Sequence, residues 1–334
     1  MDIKLLKQLG NMDQIAGVRR MTLDGGDRMA EVYNAAGLRF SVDADRCLDL
    51  WELSYKGVNF SFHSKNGLHA KELFNPTAKE FATYWPAGML ATCGLASSGG
   101  GCEDETGVHP VHGRIGYRAV EHFNSEARWV GDDYRLSVSG EAAETRLFGR
   151  NLLLQREIST TLYGRSVTIH DRITNMADAD DGVMMLYHIN FGYPILTPKA
   201  EFVSTKTRCT QINGPEHDHR FMHEPEDGIG EKLYCHEPET ETCMAGVINR
   251  ELGLGAYLKF DATKQPVMLQ WKNMKSHDYV LGIEPCNCYS KGRVGERENG
   301  TLPILKGYES VEYTVSINIL DGNDEIDRFV EACR

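Results

Sequence analysis

Residues Leu152–Leu162 read LLLQREISTTL, and after Tyr163-Gly164 and Arg165 the chain continues through Ser166–Ile173 as SVTIHDRI. In both segments apolar side chains recur at even spacings, two or four apart: Leu152, Leu154, Ile158 and Leu162 in the first, Val167, Ile169 and Ile173 in the second. A period of two places them on one face of an extended strand, whereas a helix needs spacings of three and four. Two such runs around a glycine-containing turn predict an antiparallel hairpin with one face in a core. Similar segments recur outward in both directions, at Arg28–Asn34, Leu38–Val42, Tyr134–Ser139, Val183–Ile189, Ala256–Phe260, Val267–Trp271 and Ser310–Ile319. Turn chemistry separates them, as in Asp24-Gly25-Gly26, Ala35-Ala36-Gly37 and Glu298-Asn299-Gly300. Helical patterning is confined to Met1–Leu9, part of Ala70–Phe81, and Asp324–Cys333, where Ile326, Phe329 and Val330 share a face behind an acidic first turn. With no linker and no fixed repeat, the expectation is one all-β domain over residues 1–334, a large antiparallel β-sandwich with a few peripheral helices.

Composition excludes several roles. The chain has 334 residues, 41% hydrophobic, with 48 acidic against 36 basic residues and a formal net charge of -12. Binding a phosphate backbone needs clustered positive charge, so no nucleic-acid partner is expected, and the same balance disfavours anionic membranes. Met1–Gln14 carries charges at Asp2, Lys4, Lys7 and Asp13 and lacks an apolar core, so it does not read as a signal peptide. Nine scattered cysteines fit reduced thiols. A cytoplasmic protein is therefore expected. Cys286-Asn287-Cys288 lacks the two-residue spacing of zinc knuckles.

Two stretches read as irregular, Tyr84–Gly116 and Asn213–Gly230, and long loops on a rigid sandwich are where binding groups collect. The second holds His217, His219 and His223, whose spacing in an acidic loop suits a surface or pH-sensitive segment better than a metal site. No P-loop, strand-linked G-x-G-x-x-G, H-E-x-x-H or G-x-S-x-G is present. Three patterns remain. His112 lies in Pro110-Val111-His112-Gly113-Arg114; His188 ends the apolar run Met184–Tyr187 and precedes Ile189-Asn190-Phe191-Gly192; Glu284 ends Tyr279–Ile283 and precedes Pro285, which tends to stop strand pairing. A carboxylate at the mouth of an apolar strand sits where partial burial raises its pKa towards that of a working general base.

These segments resemble the aldose 1-epimerases, or galactose mutarotases, and more closely an uncharacterised branch of that superfamily. An H-G element, an apolar strand ending in H-x-x-F-G and a later one ending in E-P follow in the same order along most of the chain. The resemblance implies a sugar-contacting His112, His188 as general acid on the ring oxygen and Glu284 as general base on the anomeric hydroxyl. It also suggests Gln270, on Val267–Trp271, near the sugar. The chain departs from the family at Tyr187, where an asparagine is usual, and in lacking the early N-R-I arginine, for which Arg46 and Arg114 are candidates. Trp85 and Trp271 read first as core and second as a platform for a pyranose face. Glu103 and Asp104 could accept hydrogen bonds from sugar hydroxyls. The implied activity is acid/base interconversion of monosaccharide anomers, without cofactor or metal; the partner expected is a small sugar in an open groove, with a homodimer left open. The alternatives are an isomerase or carbon epimerase acting beside a carbonyl, and a non-catalytic sugar-binding protein.

Overall fold

The computed structural model describes residues 7–68, 81–215 and 217–334. It is an antiparallel β structure, as the alternation predicts. An eight-stranded sheet runs in the spatial order Ala200–Ser204, Thr242–Asn249, Leu254–Asp261, Ser310–Asp321, Ser166–Asn175, Asn151–Thr161, Asp133–Thr145, Glu121–Val130. The stretch that opens the sequence reading forms its centre, with Leu154 paired to Ile173 and Ile158 to Ile169. A six-stranded sheet has the order Thr207–Gln211, Lys232–Pro238, Val267–Lys275, Asp278–Cys286, Met184–Phe191, Leu90–Leu95. A five-stranded sheet is built from the N-terminal strands between Gly17 and Asn59.

One apolar core joins the three sheets. It takes Val32, Phe40 and Leu53 from the first, Leu136, Leu154, Ile158, Val167 and Val315 from the eight-stranded sheet, and Tyr187, Ile189, Leu281 and Ile283 from the six-stranded one. A buried ionic network crosses the same space. Arg156 donates to both oxygens of Asp171, at 2.8 and 2.7 Å, and to the Thr92 hydroxyl at 2.7 Å; Thr92 donates to Asp49 at 2.6 Å, and the Tyr187 hydroxyl donates to Asp171 at 2.6 Å. Each charge there is paired and hydrogen-bonded, which burial requires. Tyr187 is thus a core residue. Strand alternation turns it away from the face that its neighbour His188 occupies.

Among the described residues the helices are short: Phe81–Tyr84, Gly292–Glu298 and Asn323–Ala332. The last matches the amphipathic tail, packing Ile326 and Phe329 against Ile248 and Leu320. Among the described residues no helix is long and apolar enough to cross a membrane. The helical signal at Met1–Leu9 lies mostly, and that at Ala70–Phe81 almost wholly, outside the described residues. Tyr84–Gly116 departs from the irregular loop expected: it contains the fully buried strand Leu90–Leu95 and the small hairpin Cys102–Asp104 and Gly107–His109. A strand covered on both faces shows no alternation, so its signal is lost among the flanking glycines.

Candidate functional site

The six-stranded sheet floors a cleft of about 590 Å³, within the range of small-molecule sites. His188 and Glu284 reach it from adjacent strands. Leu186 pairs with Cys286 and Ile189 with Ile283, so the register sets His188 opposite Glu284 and Tyr187 opposite Pro285. The strand does not stop at Pro285, contrary to expectation: Pro285 pairs with Met268 on its other side and the strand runs to Cys286. Proline lacks only the N–H facing Met184–Phe191, and the ladder lapses there. His188 likewise sits inside its strand, which continues to Phe191.

His188 Nε2 lies 3.3 Å from Glu284 Oε1, and both side chains are nearly closed off from solvent. Space for this contact comes from Gly282, where a Cβ would stand 2.6 Å from Glu284 Oε1. On the far side of the imidazole, Nδ1 is 2.6 Å from Asn190 Oδ1. The Asn190 amide is fixed because its Nδ2 donates to the carbonyls of Gly88 and His188, at 3.0 and 2.9 Å. Its oxygen must therefore accept from Nδ1–H, which leaves the Nε2 of neutral His188 as a bare lone pair aimed at Glu284. Two bare acceptors cannot share a 3.3 Å contact at low dielectric, so one proton belongs to the pair. The electrostatics agree. Burial pushes the Glu284 carboxyl well above the usual range, with the Glu231 charge adding to it. Burial and the nearby His112 press His188 down to about 3. Burial thus favours the uncharged form of both groups, a protonated Glu284 beside a neutral His188, and Glu284 Oε1 has no hydrogen-bond partner among the described residues.

His112 faces them, its ring 5.5 Å from that of His188. It sits in the left-handed region at φ 59, followed by Gly113 at φ 76, where a Cβ would come within 2.3 Å of the Gly94 and Ser97 carbonyls. The H-G pair is needed because this loop lies directly on the backbone of Leu90–Leu95. The Gly99 amide approaches His112 Nδ1 at 3.4 Å, turning Nε2 towards the cleft, and burial lowers this histidine to about 4. Trp85 and Trp271 wall the site, with ring centroids 5.0 and 5.4 Å from His188; the Trp271 indole N–H donates to Glu231 at 2.7 Å. Their placement favours the platform reading over pure core. A Lys65–Asp278 ion pair of 2.9 Å stands at the rim.

The structure thus brings together His112, His188, Glu284, Trp85 and Trp271, and leaves the other candidates aside. Gln270 lies between two cleft residues, Leu269 and Trp271, so alternation sends it to the opposite face, where its Oε1 is 3.0 Å from His236 Nε2. Arg114 is tied back to the Val108 carbonyl at 2.8 Å. Arg46 is buried outside the cleft lining but in an adjoining small cavity that Trp85 and His112 also line, with Asp49 and Tyr117, and it lies 3.6 Å from Asp43. Glu103 is exposed and outside the cleft lining. Asp104 is structural: burial alone would raise its carboxyl, yet the Thr106 hydroxyl, His109 and two arginines, Arg293 and Arg297, hold it well below the usual range. Among metal readings, Cys286 and Cys288 place their sulfurs 3.9 Å apart inside the core, and His217, His219 and His223 do not converge. Asn190, Gly282 and Glu231 escaped the sequence reading. The first two are legible in retrospect, two residues after His188 and two before Glu284, on the same strand faces.

Residues 24–319 match the model of a family described as a domain of unknown function, DUF4432. No curated protein sequence matches the chain. Solved structures share its fold. A Klebsiella pneumoniae protein provisionally named an aldose 1-epimerase is 21% identical, with a TM-score of 0.87 over 95% of this chain and 86% of its own. A galactose mutarotase-like protein from Clostridium acetobutylicum is 12% identical, with a TM-score of 0.62 over 92% and 99%. The galactose 1-epimerase of Lactobacillus acidophilus is 10% identical, with a TM-score of 0.59 over 92% and 99%. At these identities the likeness establishes a galactose mutarotase-like fold.

Proposed function

The chain belongs to the DUF4432 family, and from that premise and the cleft we propose that it interconverts the anomers of a monosaccharide by acid/base catalysis. The observation that carries this reading is the buried His188–Glu284 contact, 3.3 Å long, at the floor of an aromatic-walled cleft. Anomer exchange needs that equipment and no more. The anomeric hydroxyl gives its proton to one member of the pair while the other delivers a proton to the ring oxygen. The C1–O5 bond breaks, its electrons passing to O5 as the O1 lone pair forms the carbonyl. Rotation about C1–C2 presents the other face, and the same transfers in reverse close the ring.

The resemblance to the aldose 1-epimerases assigns acid to His188 and base to Glu284. Burial favours the proton on Glu284, so that assignment requires the proton to cross the 3.3 Å gap as the sugar docks. In either arrangement one partner can give while the other takes, and the two oxygens bonded to C1 are close enough together to engage neighbours so placed. His112 supplies a hydrogen-bond donor, and Trp85 and Trp271 supply apolar faces to which pyranose C–H bonds pack.

The test is anomer exchange by NMR across a panel of monosaccharides in heavy water. Acceleration with deuterium confined to hydroxyl positions supports the proposal. Deuterium at a carbon-bound position moves the reaction to a carbon beside the carbonyl, and tight binding without acceleration makes the protein a sugar receptor.

A further inference from the structure

Behind the cleft, on the reverse face of the same sheet, lies a second cluster of ligating side chains that the proposed reaction does not use. Cys209 and His236 are directly opposed on the antiparallel strands Thr207–Gln211 and Lys232–Pro238. Cys209 Sγ is 3.6 Å from His236 Nε2. The edge joining sulfur and nitrogen in a zinc tetrahedron, with bonds of 2.3 and 2.0–2.1 Å, is about 3.5 Å. His219 comes from the segment 217–223, and the ligand atoms of all three lie within 4.8 Å of one another.

The surroundings are those a metal site requires. His236 is fully buried; its Nε2–H donates to Gln270 Oε1 at 3.0 Å, and its Nδ1 is 2.9 Å from the Thr207 hydroxyl, so ligation through Nε2 shifts the ring proton to Nδ1, where that hydroxyl can accept it. Gln270 is also fully buried; its Nε2 is committed to the His219 carbonyl at 2.9 Å, so its Oε1 must point at the cluster, 3.0 Å from His236 Nε2. The segment carrying His219 is anchored with unusual thoroughness. Lys272, 1% exposed, spends its ammonium on main-chain carbonyls, donating to Asp218 at 3.0 Å and to Phe221, and the Tyr234 hydroxyl donates to the His217 carbonyl at 3.2 Å.

We propose that Cys209, His219 and His236 bind a thiophilic divalent cation of the Zn²⁺ class, with Gln270 Oε1 at the fourth position, and that the ion staples the 217–223 segment to the sheet behind the cleft. One sulfur and two imidazoles exclude the hard cations, which demand oxygen. Cys209 and His219 are each only partly buried, which leaves the ion a way in. Ligation by a thiolate releases the thiol proton, so binding weakens as pH falls.

The test uses the full-length protein, reduced, stripped with EDTA and titrated with Co²⁺. The proposal expects one equivalent bound with a near-ultraviolet thiolate-to-cobalt band and tetrahedral visible bands, all displaced by Zn²⁺, and a rise in melting temperature on Zn²⁺ addition. Cys209→Ser should abolish the thiolate band, and Thr207→Val should weaken binding about 10–100-fold. Cys288→Ser should change neither. His219→Gln, on the surface segment, gives a second variant whose folding does not depend on the core; circular dichroism checks both. Absence of stoichiometric binding, or a thiolate band that survives Cys209→Ser, overturns the site.

Discussion

In the eight-stranded sheet, the strand Asn151–Thr161 alternates between buried and exposed along its length; in the six-stranded sheet, Met184–Phe191 is buried at every position. The first sheet has one face in the core and one in solvent, so each residue has a single task. The second is covered on both sides. Its core face carries Tyr187, Ile189 and Ile283, and its other face carries His188 and Glu284 in a closed, low-dielectric environment. Double coverage is what perturbs the titrating groups, because desolvation is the largest influence on both. The perturbed titrating groups therefore sit where the hydrophobic pattern is least regular.

The largest effect should come from Glu284→Gln, with catalysed anomer exchange falling about 10²–10⁴-fold in a folded protein. The same variant sharpens the comparison through pH. The folded carboxyl has a raised pKa, so above about 4.3 the native state keeps a proton that the unfolded chain has released, and wild-type stability falls as pH rises through that window. Glutamine does not titrate. Denaturant melts should show the variant gaining on wild type as pH rises; a gap independent of pH would mean that the carboxyl is not held neutral.

Arg156→Met attacks the junction of the two sheets. It strands the Asp171 and Asp49 carboxylates, and urea unfolding should show a loss of about 3–5 kcal/mol. Asn190→Asp places a negative charge against His188 Nδ1 and should raise that histidine's pKa by about 1–3 units in an NMR titration of its ring protons. An unchanged value would remove Asn190 from its positioning role. The smallest effect belongs to the regular sheet: Ile158→Val, fully buried, should cost about 0.5–1.5 kcal/mol with the rate per folded molecule unchanged. A rate change there would show that the sheets are coupled more tightly than one stabilising and one reacting layer.

The contrast also accounts for what could be read from the residues. Period-two alternation located Asn151–Thr161, Ser166–Asn175 and Ser310–Asp321 to within two residues, because solvent on one face writes itself into the sequence. It missed Leu90–Leu95, buried on both sides, and ended the strands of His188 and Glu284 too early. Arg114, Gln270, Glu103 and Asp104 had plausible chemistry but not position: strand alternation turns Gln270 to the reverse face, the Val108 carbonyl holds Arg114, His109 and two arginines hold Asp104, and Glu103 lies exposed outside the cleft.

By itself the sequence determined the all-β antiparallel class, the net acidic charge and the order of His112, His188 and Glu284, since these follow from local periodicity, composition and motif spacing. Only the tertiary structure decided that His188 and Glu284 meet 3.3 Å apart in a closed cleft, that Asn190 sets the tautomer, and that His219 joins Cys209 and His236 rather than His217 and His223. The physical reason is that strand register and sheet burial act between residues far apart in the chain, and no local pattern encodes which face of a doubly covered sheet a side chain will occupy.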